Sequence, residues 1–224
     1  MNLRIFDSSA DLMQSAARTI EQLVERGARS IALSGGSTPQ PLYKLLGQSL
    51  RNQPIVWVVV DERYVPIDDP QSNAGMMNAT LFAGGMPESQ RFLRFHTELA
   101  DPATTVDAFE AEWRTLGLDP LDIAILGVGD DGHTASLFPG TPALDVDDHI
   151  ATALFVEKLA MWRVTLTLPV IRAAKLRIVL ATGASKREVL TKVREGADYP
   201  IARATSGVET WWFVDRAAAP VQAI

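Results

Sequence analysis

The run Ile55-Val56-Trp57-Val58-Val59-Val60 is apolar at every position, and this constrains the fold more than any other stretch. A strand with one wet face alternates apolar and polar residues. An unbroken run predicts a strand covered on both faces, as inside a parallel sheet. Ile123-Ala124-Ile125-Leu126 has the same character, and residues 3–6, 30–33, 164–168, 176–180 and 211–214 read as further strands. Leu12, Met13, Ala16, Ala17, Ile20, Leu23 and Val24 recur with helical spacing, with Ser8 and Asp11 as the cap and Gly27 as the stop. Pro39 suits a helix start, and residues 73–81 and 104–116 read as helices. Strands alternating with helices predict an α/β fold of three layers, a mostly parallel sheet flanked by helices. No repeat or linker interrupts the chain, and residues 83–90, the most flexible loop in this reading, are too few to separate domains. The expectation is one domain over residues 1–224.

Composition removes several function classes. There is no cysteine, which rules out disulfides, thiolate metal sites and cysteine nucleophiles and makes the cytoplasm the default location. No apolar run reaches membrane-spanning length, and Met1-Asn2-Leu3-Arg4-Ile5-Phe6 reads as a strand, not a leader. The net charge of −6 argues against nucleic acid as a partner. A phosphorylated small molecule remains compatible, because a few local cations can bind it inside an acidic protein.

Three polar loops follow three apolar strands. Parallel strands point one way, so the loops should gather on one sheet edge, where open α/β sheets hold ligands. The first, Ser34-Gly35-Gly36-Ser37-Thr38, offers backbone N–H groups, hydroxyls and a helix N-terminus; it suits an anion such as phosphate, or it is simply a tight turn. The second runs from Asp61-Glu62-Arg63 to Asn73. The third, Gly127-Val128-Gly129-Asp130-Asp131-Gly132-His133, holds two carboxylates and one of the chain's three histidines. It matches G-x-G-x-x-G, but two carboxylates would repel a pyrophosphate, and the motif stands far from the start of the domain. His133 beside Asp131 reads as functional, whereas His96 and His149 read as surface residues. Neither H-E-x-x-H nor G-x-S-x-G occurs, so neither a catalytic metal nor a hydrolase serine is expected. Lys186 at a helix start opposes the helix dipole, a cost that a bound anion would offset, and Arg163 opens a strand.

Together these segments resemble the glucosamine-6-phosphate isomerase/6-phosphogluconolactonase family, and within it the lactonases. The resemblance rests on residues 34–39, on residues 61–66 with Ser72-Asn73-Ala74-Gly75, on residues 126–140, and on residues 163–167 with Gly183-Ala184-Ser185-Lys186. Two departures are visible: Leu159-Ala160-Met161-Trp162 stands where the family usually has prolines, and Thr182-Gly183 where it usually has Leu-Gly. The resemblance implies a Rossmann-like fold of the deaminase type and hydrolysis of a sugar-phosphate lactone. It implies His133 as general base, Asp131 as its orienting partner and Arg63 near the reacting end. Ser37, Thr38, Arg163 and Lys186 would hold the phosphate, with Gly35, Gly36, Asp61 and Asn73 completing the substrate site. No cofactor or metal is called for, and the oligomeric state stays open between a monomer and a weak dimer.

Two rivals follow. A glucosamine-6-phosphate deaminase shares the fold, but its loop reads Ile-Ala-Phe-Asn-Glu-Pro after the histidine. Here Thr134-Ala135-Ser136-Leu137-Phe138-Pro139 puts Phe138 in the place of the glutamate. A sugar-phosphate-binding regulator without catalysis is the other, and the chain carries no added DNA-binding segment for it.

Overall fold

The structure, a computed structural model, describes residues 1–220. Its main sheet contains β1 (Asn2–Phe6), β2 (Ser30–Leu33), β3 (Val56–Val59), β5 (Arg91–Leu93), β6 (Ile123–Leu126), β9 (Leu176–Ala181) and β10 (Thr210–Asp215). The strands lie in the order β1-β10-β9-β6-β2-β3-β5, and every pairing is parallel. Every residue of β2, β6 and β9 is buried, so both sheet faces are covered, as the unbroken apolar runs require. At about 1.5–3 kcal/mol for each large apolar side chain taken from water, these strands supply much of the stabilising core.

The helices follow their sequence signals. In α1 (Ser9–Glu25) the Ser8 side chain accepts a hydrogen bond from Asp11 N, and Leu12, Met13, Ala16, Ala17, Ile20 and Val24 form the buried stripe. In α4 (Pro102–Leu116) Asp101 caps the start through Thr104 N, which places the helix two residues before the expected one. The others are α2 (Gln40–Ser49), α3 (Asn73–Thr80), α5 (Leu168–Ala173), α6 (Lys186–Arg194) and α7 (Pro200–Thr205).

A second sheet corrects the expected topology. β4 (Asp61–Arg63) pairs antiparallel with β8 (Met161–Leu166), which pairs antiparallel with β7 (Ala151–Val156). Residues 61–63, which read as loop in the sequence, are therefore a strand. The strand expected at 164–168 starts at Met161 and lies outside the main sheet, and Leu168 opens α5. β4 begins one residue after β3, so a single chain path runs from the main sheet into the small one.

Candidate active site

Chain order reverses between β2 and β6. From β2 the chain moves outward through β3 to β5, then returns to β6 on the other side of β2. At such a switch point the loops beyond the two strands diverge and leave a crevice. Ser34 Oγ ties the two sides together by donating to Ile125 O at 2.8 Å. A cavity of about 420 Å³ opens there, lined by the loops after β2, β6 and β9 on one side and by Asp61, Arg63, Lys158, Leu159 and Arg163 on the other.

The first loop leads into the N-terminus of α2. Gly36 takes φ +93°, which turns the chain into the helix, and Ser37 and Thr38 line the cavity. Gly35 packs against Asn73: a Cβ on Gly35 would lie 1.8 Å from Asn73 Oδ1. That close approach lets Asn73 serve the arginine side of the site. Asn73 Nδ2 donates to Asp61 O at 2.7 Å, and Asn73 Oδ1 accepts from Arg63 Nη1 at 2.9 Å.

Glu62, which carries no sequence signal of its own, organises this wall. Its carboxylate accepts from Arg63 N and Asn73 N at 2.8 and 2.7 Å, and from Ala74 N and Ser72 Oγ at 2.7 and 3.1 Å. Burial pushes its pKa up, and the backbone donors from Ala74, Asn73 and Arg63 pull against that. Asp61 is buried and accepts from Ser136 Oγ at 2.7 Å, which anchors β4 to the histidine loop.

Arg63 and Arg163 face each other in register across β4 and β8. Their Nε atoms are buried and lack a hydrogen-bond partner among the described residues. Burial, then the Arg63 charge, push the Arg163 guanidinium down, while Asp61 and Glu62 oppose the shift. Two adjacent cations with donors to spare can hold an anion.

On the facing side, His133 Nδ1 lies 2.5 Å from Asp131 Oδ1. The pairing depends on Gly129, where a Cβ would sit 2.0 Å from His133 Nδ1 and 2.8 Å from Asp131 Oδ1. Burial alone would raise the Asp131 carboxyl, but hydrogen bonds from Lys158 and His133 hold it well below the usual carboxylate range. An ionised carboxylate can only accept, so Nδ1 donates to it, and in the neutral ring that leaves Nε2 as the acceptor. Asp131 does not line the cavity; it acts on the site through His133.

The structure brings the other expected residues to this one cavity: Gly35, Gly36, Ser37, Thr38, Asp61, Arg63, Asn73, His133, Arg163 and Lys186 all line it. Lys186 needs a different account from the one its helix position suggests. Its Nζ lies 2.6 Å from Asp130 Oδ1, so the acid loop itself supplies a countercharge and no bound anion is required to explain the lysine. Lys158 is absent from the sequence expectations, yet it lines the cavity, pairs with Asp131 and lies over the Phe138 ring at 4.6 Å. Its turn carries no glycine signature, so nothing local marks it. Phe138 is buried with its ring centroid 4.5 Å from that of His133, an apolar wall beside the imidazole. His96 and His149 lie outside the cavity lining. Among the described residues no three His, Asp or Glu side chains gather as a metal site, and no helix is long and apolar enough to cross a membrane.

Comparisons with known proteins give the family and the fold. A family model described as glucosamine-6-phosphate isomerases/6-phosphogluconolactonase matches residues 7–212. The 6-phosphogluconolactonase of a Synechocystis strain is 37% identical over 217 residues, covering 90% of this chain and 88% of the relative. That of Haemophilus influenzae is 36% identical over 200 residues, covering 84% and 85%. The crystal structure of 6-phosphogluconolactonase from Thermotoga maritima superposes with a TM-score of 0.84 at 29% identity, covering 96% of this chain and 98% of that one. A monomeric glucosamine-6-phosphate deaminase superposes with a TM-score of 0.85 at 23% identity over 97% and 98% of the two chains, a likeness of fold alone. The switch-point cavity, its facing histidine and arginines, and a match running through nearly the whole chain lead to one assignment: this chain belongs to the glucosamine-6-phosphate isomerase/6-phosphogluconolactonase family.

Proposed function

We propose that this chain hydrolyses 6-phospho-D-glucono-1,5-lactone to 6-phospho-D-gluconate in the oxidative pentose phosphate pathway, as a carboxylic ester hydrolase. The observation that carries the reading is the His133–Asp131 pair opening onto the same cavity as two adjacent arginines. In this mechanism His133 Nε2 takes a proton from water as the water oxygen bonds to the lactone carbonyl carbon. Arg63 stabilises the negative charge that develops on the carbonyl oxygen. The tetrahedral intermediate then expels the ring oxygen, which takes the proton from the imidazolium and becomes the 5-hydroxyl. The acid product ionises to solvent. Asp131 keeps the ring tautomer and orientation throughout. Ser37, Thr38, Arg163 and Lys186 hold the phosphate, with Gly35, Gly36, Asp61 and Asn73 shaping the pocket. A lactone is an activated ester, so one base and a charge clamp suffice.

Deamination is disfavoured by Phe138. Ring opening, enolisation and loss of ammonia call for several acid–base groups, and this wall offers an aromatic ring. The test is to generate the lactone in situ with glucose-6-phosphate dehydrogenase and follow its loss. We expect disappearance far above the spontaneous rate and no ammonia from glucosamine 6-phosphate. Lactone loss at the spontaneous rate, or ammonia release at a comparable rate, overturns the reading.

A further inference from the structure

Lys158 is the cation nearest the base whose role the proposed hydrolysis leaves open. It sits in a three-residue 3₁₀ turn (Glu157–Leu159) between β7 and β8, and Ala160 closes the turn at φ +46°. Ala160 and Ala135 are the two non-glycine residues at positive φ among the described residues, and both border this site: Ala135 lines the cavity, and Ala160 follows Leu159, which lines it too. Left-handed backbone costs an alanine about 1 kcal/mol or more, so such turns persist where the surroundings fix them.

The Lys158 ammonium has two contacts. It donates to Asp131 Oδ2, and it lies over the face of Phe138. Phe138 in turn packs on the His133 ring. The two oxygens of Asp131 are thus divided, Oδ1 to His133 and Oδ2 to Lys158. The Lys158 side chain is about half exposed, and an exposed ion pair adds little to stability. Its effect is on the charge beside the base. The other charged and titratable groups near this loop are Asp130, paired with Lys186 at the start of α6, Tyr199, which packs against Gly132, and Arg63, Arg163 and Asp61 across the cavity; none of them changes in a Lys158 variant.

We infer that Lys158 is a positioning residue for the base: it fixes the Asp131 carboxylate by one oxygen, presents the other to His133, and offsets the carboxylate charge so that the imidazole stays neutral in more acidic solution. The sign follows from electrostatics. An uncompensated Asp131 carboxylate favours imidazolium, and a nearby ammonium disfavours it. Removing the ammonium makes His133 hold its proton to higher pH and so disables the base over a wider range.

This inference rests on the proposed hydrolysis for its meaning, but its test does not need turnover. The His133 ring would be titrated by NMR in the wild type and in the Lys158→Met and Lys158→Arg variants, with His96 and His149 as internal references and a His133→Asn variant to assign the signal. Lys158→Met should move the His133 midpoint up by about 0.5–1 pH unit, and Lys158→Arg should restore most of it. If the chain turns over the lactone, the acid limb of kcat/KM should move by the same amount, with KM changed less than kcat. An unmoved His133 midpoint in folded Lys158→Met overturns the inference. A shifted midpoint in a protein that leaves the lactone untouched overturns the proposed function and leaves the inference standing.

Discussion

The two sheets divide the work of this molecule. The seven-stranded sheet is buried through β2, β6 and β9, and it carries the glycine-rich loop and His133 at its strand ends. The three-stranded sheet carries Arg63, Arg163 and, on its connecting turn, Lys158, while Phe155 and Trp162 stand exposed as an edge-to-face pair on it. Apolar burial reaches both regions: Val164 and Leu166 of β8 and Ala151, Leu154 and Val156 of β7 belong to the same core as the main sheet. The site-facing edge of the second adds polar bonds: Ser136 Oγ to Asp61, and residues 72–74 to Glu62. A site assembled this way takes its histidine from one sheet and its arginines from the other, and the outer face of the small sheet, which lies outside the cavity lining, should tolerate change.

The sharpest way to break that division is at His133. Replacement by Ala should lower kcat by about 10²–10⁴-fold, the range for a lost general base, while thermal unfolding changes little. A folded, fully active variant would contradict the division. Asp131 bears on the pH profile. Its carboxyl is held low, so its stabilising contribution is present above the unfolded value and is lost only as pH falls through the lower folded one. It stays ionised where activity is measured, and the acid limb of kcat/KM should have unit slope, from the imidazole alone. A slope of two would mean that a second group titrates with it.

Leu33→Ala, in the buried heart of the main sheet, should cost about 2–5 kcal/mol in denaturant unfolding. At Lys186 the expected effect is smaller. Lys186→Ala should raise KM by about tenfold with kcat nearly unchanged, since a phosphate contact is alike in ground and transition states. Adding Arg163→Ala should then cost less than the two separate losses combined if they share one phosphate. An unchanged KM would leave Lys186 as a partner of Asp130 alone. The smallest effect belongs to the outer face of the small sheet. Phe155→Ala should change stability by less than about 0.5 kcal/mol and leave turnover unaltered. A large loss there would show that this face is not the tolerant one.

The same division explains what the sequence made legible. Unbroken apolar runs and caps locate β2, β6, α1 and the glycine loops, because burial on both faces and tight turns each leave a local signature. The small sheet leaves less: of its three strands only β8 reads as a strand, over residues 164–168. β4 is Asp-Glu-Arg, a strand made of charged residues because they face a polar site, so it reads as loop. β7 has mixed exposure without clean alternation and no glycine to frame it. Arg163 is visible only through resemblance. Glu62 stands in the second loop with no role legible, and Lys158 is not visible at all, because their contacts with residues 72–74 and with Asp131 exist only in the folded chain.

One measurement tests that meeting most directly: a crystal structure of this chain with 6-phosphogluconate bound. The account predicts one molecule spanning both regions. Its carboxylate should lie within hydrogen-bond reach of His133 Nε2 and Arg63, and its phosphate among Ser37, Thr38, Arg163 and Lys186. A product held by one sheet's loops alone, with His133 or both arginines left out of contact, would contradict it.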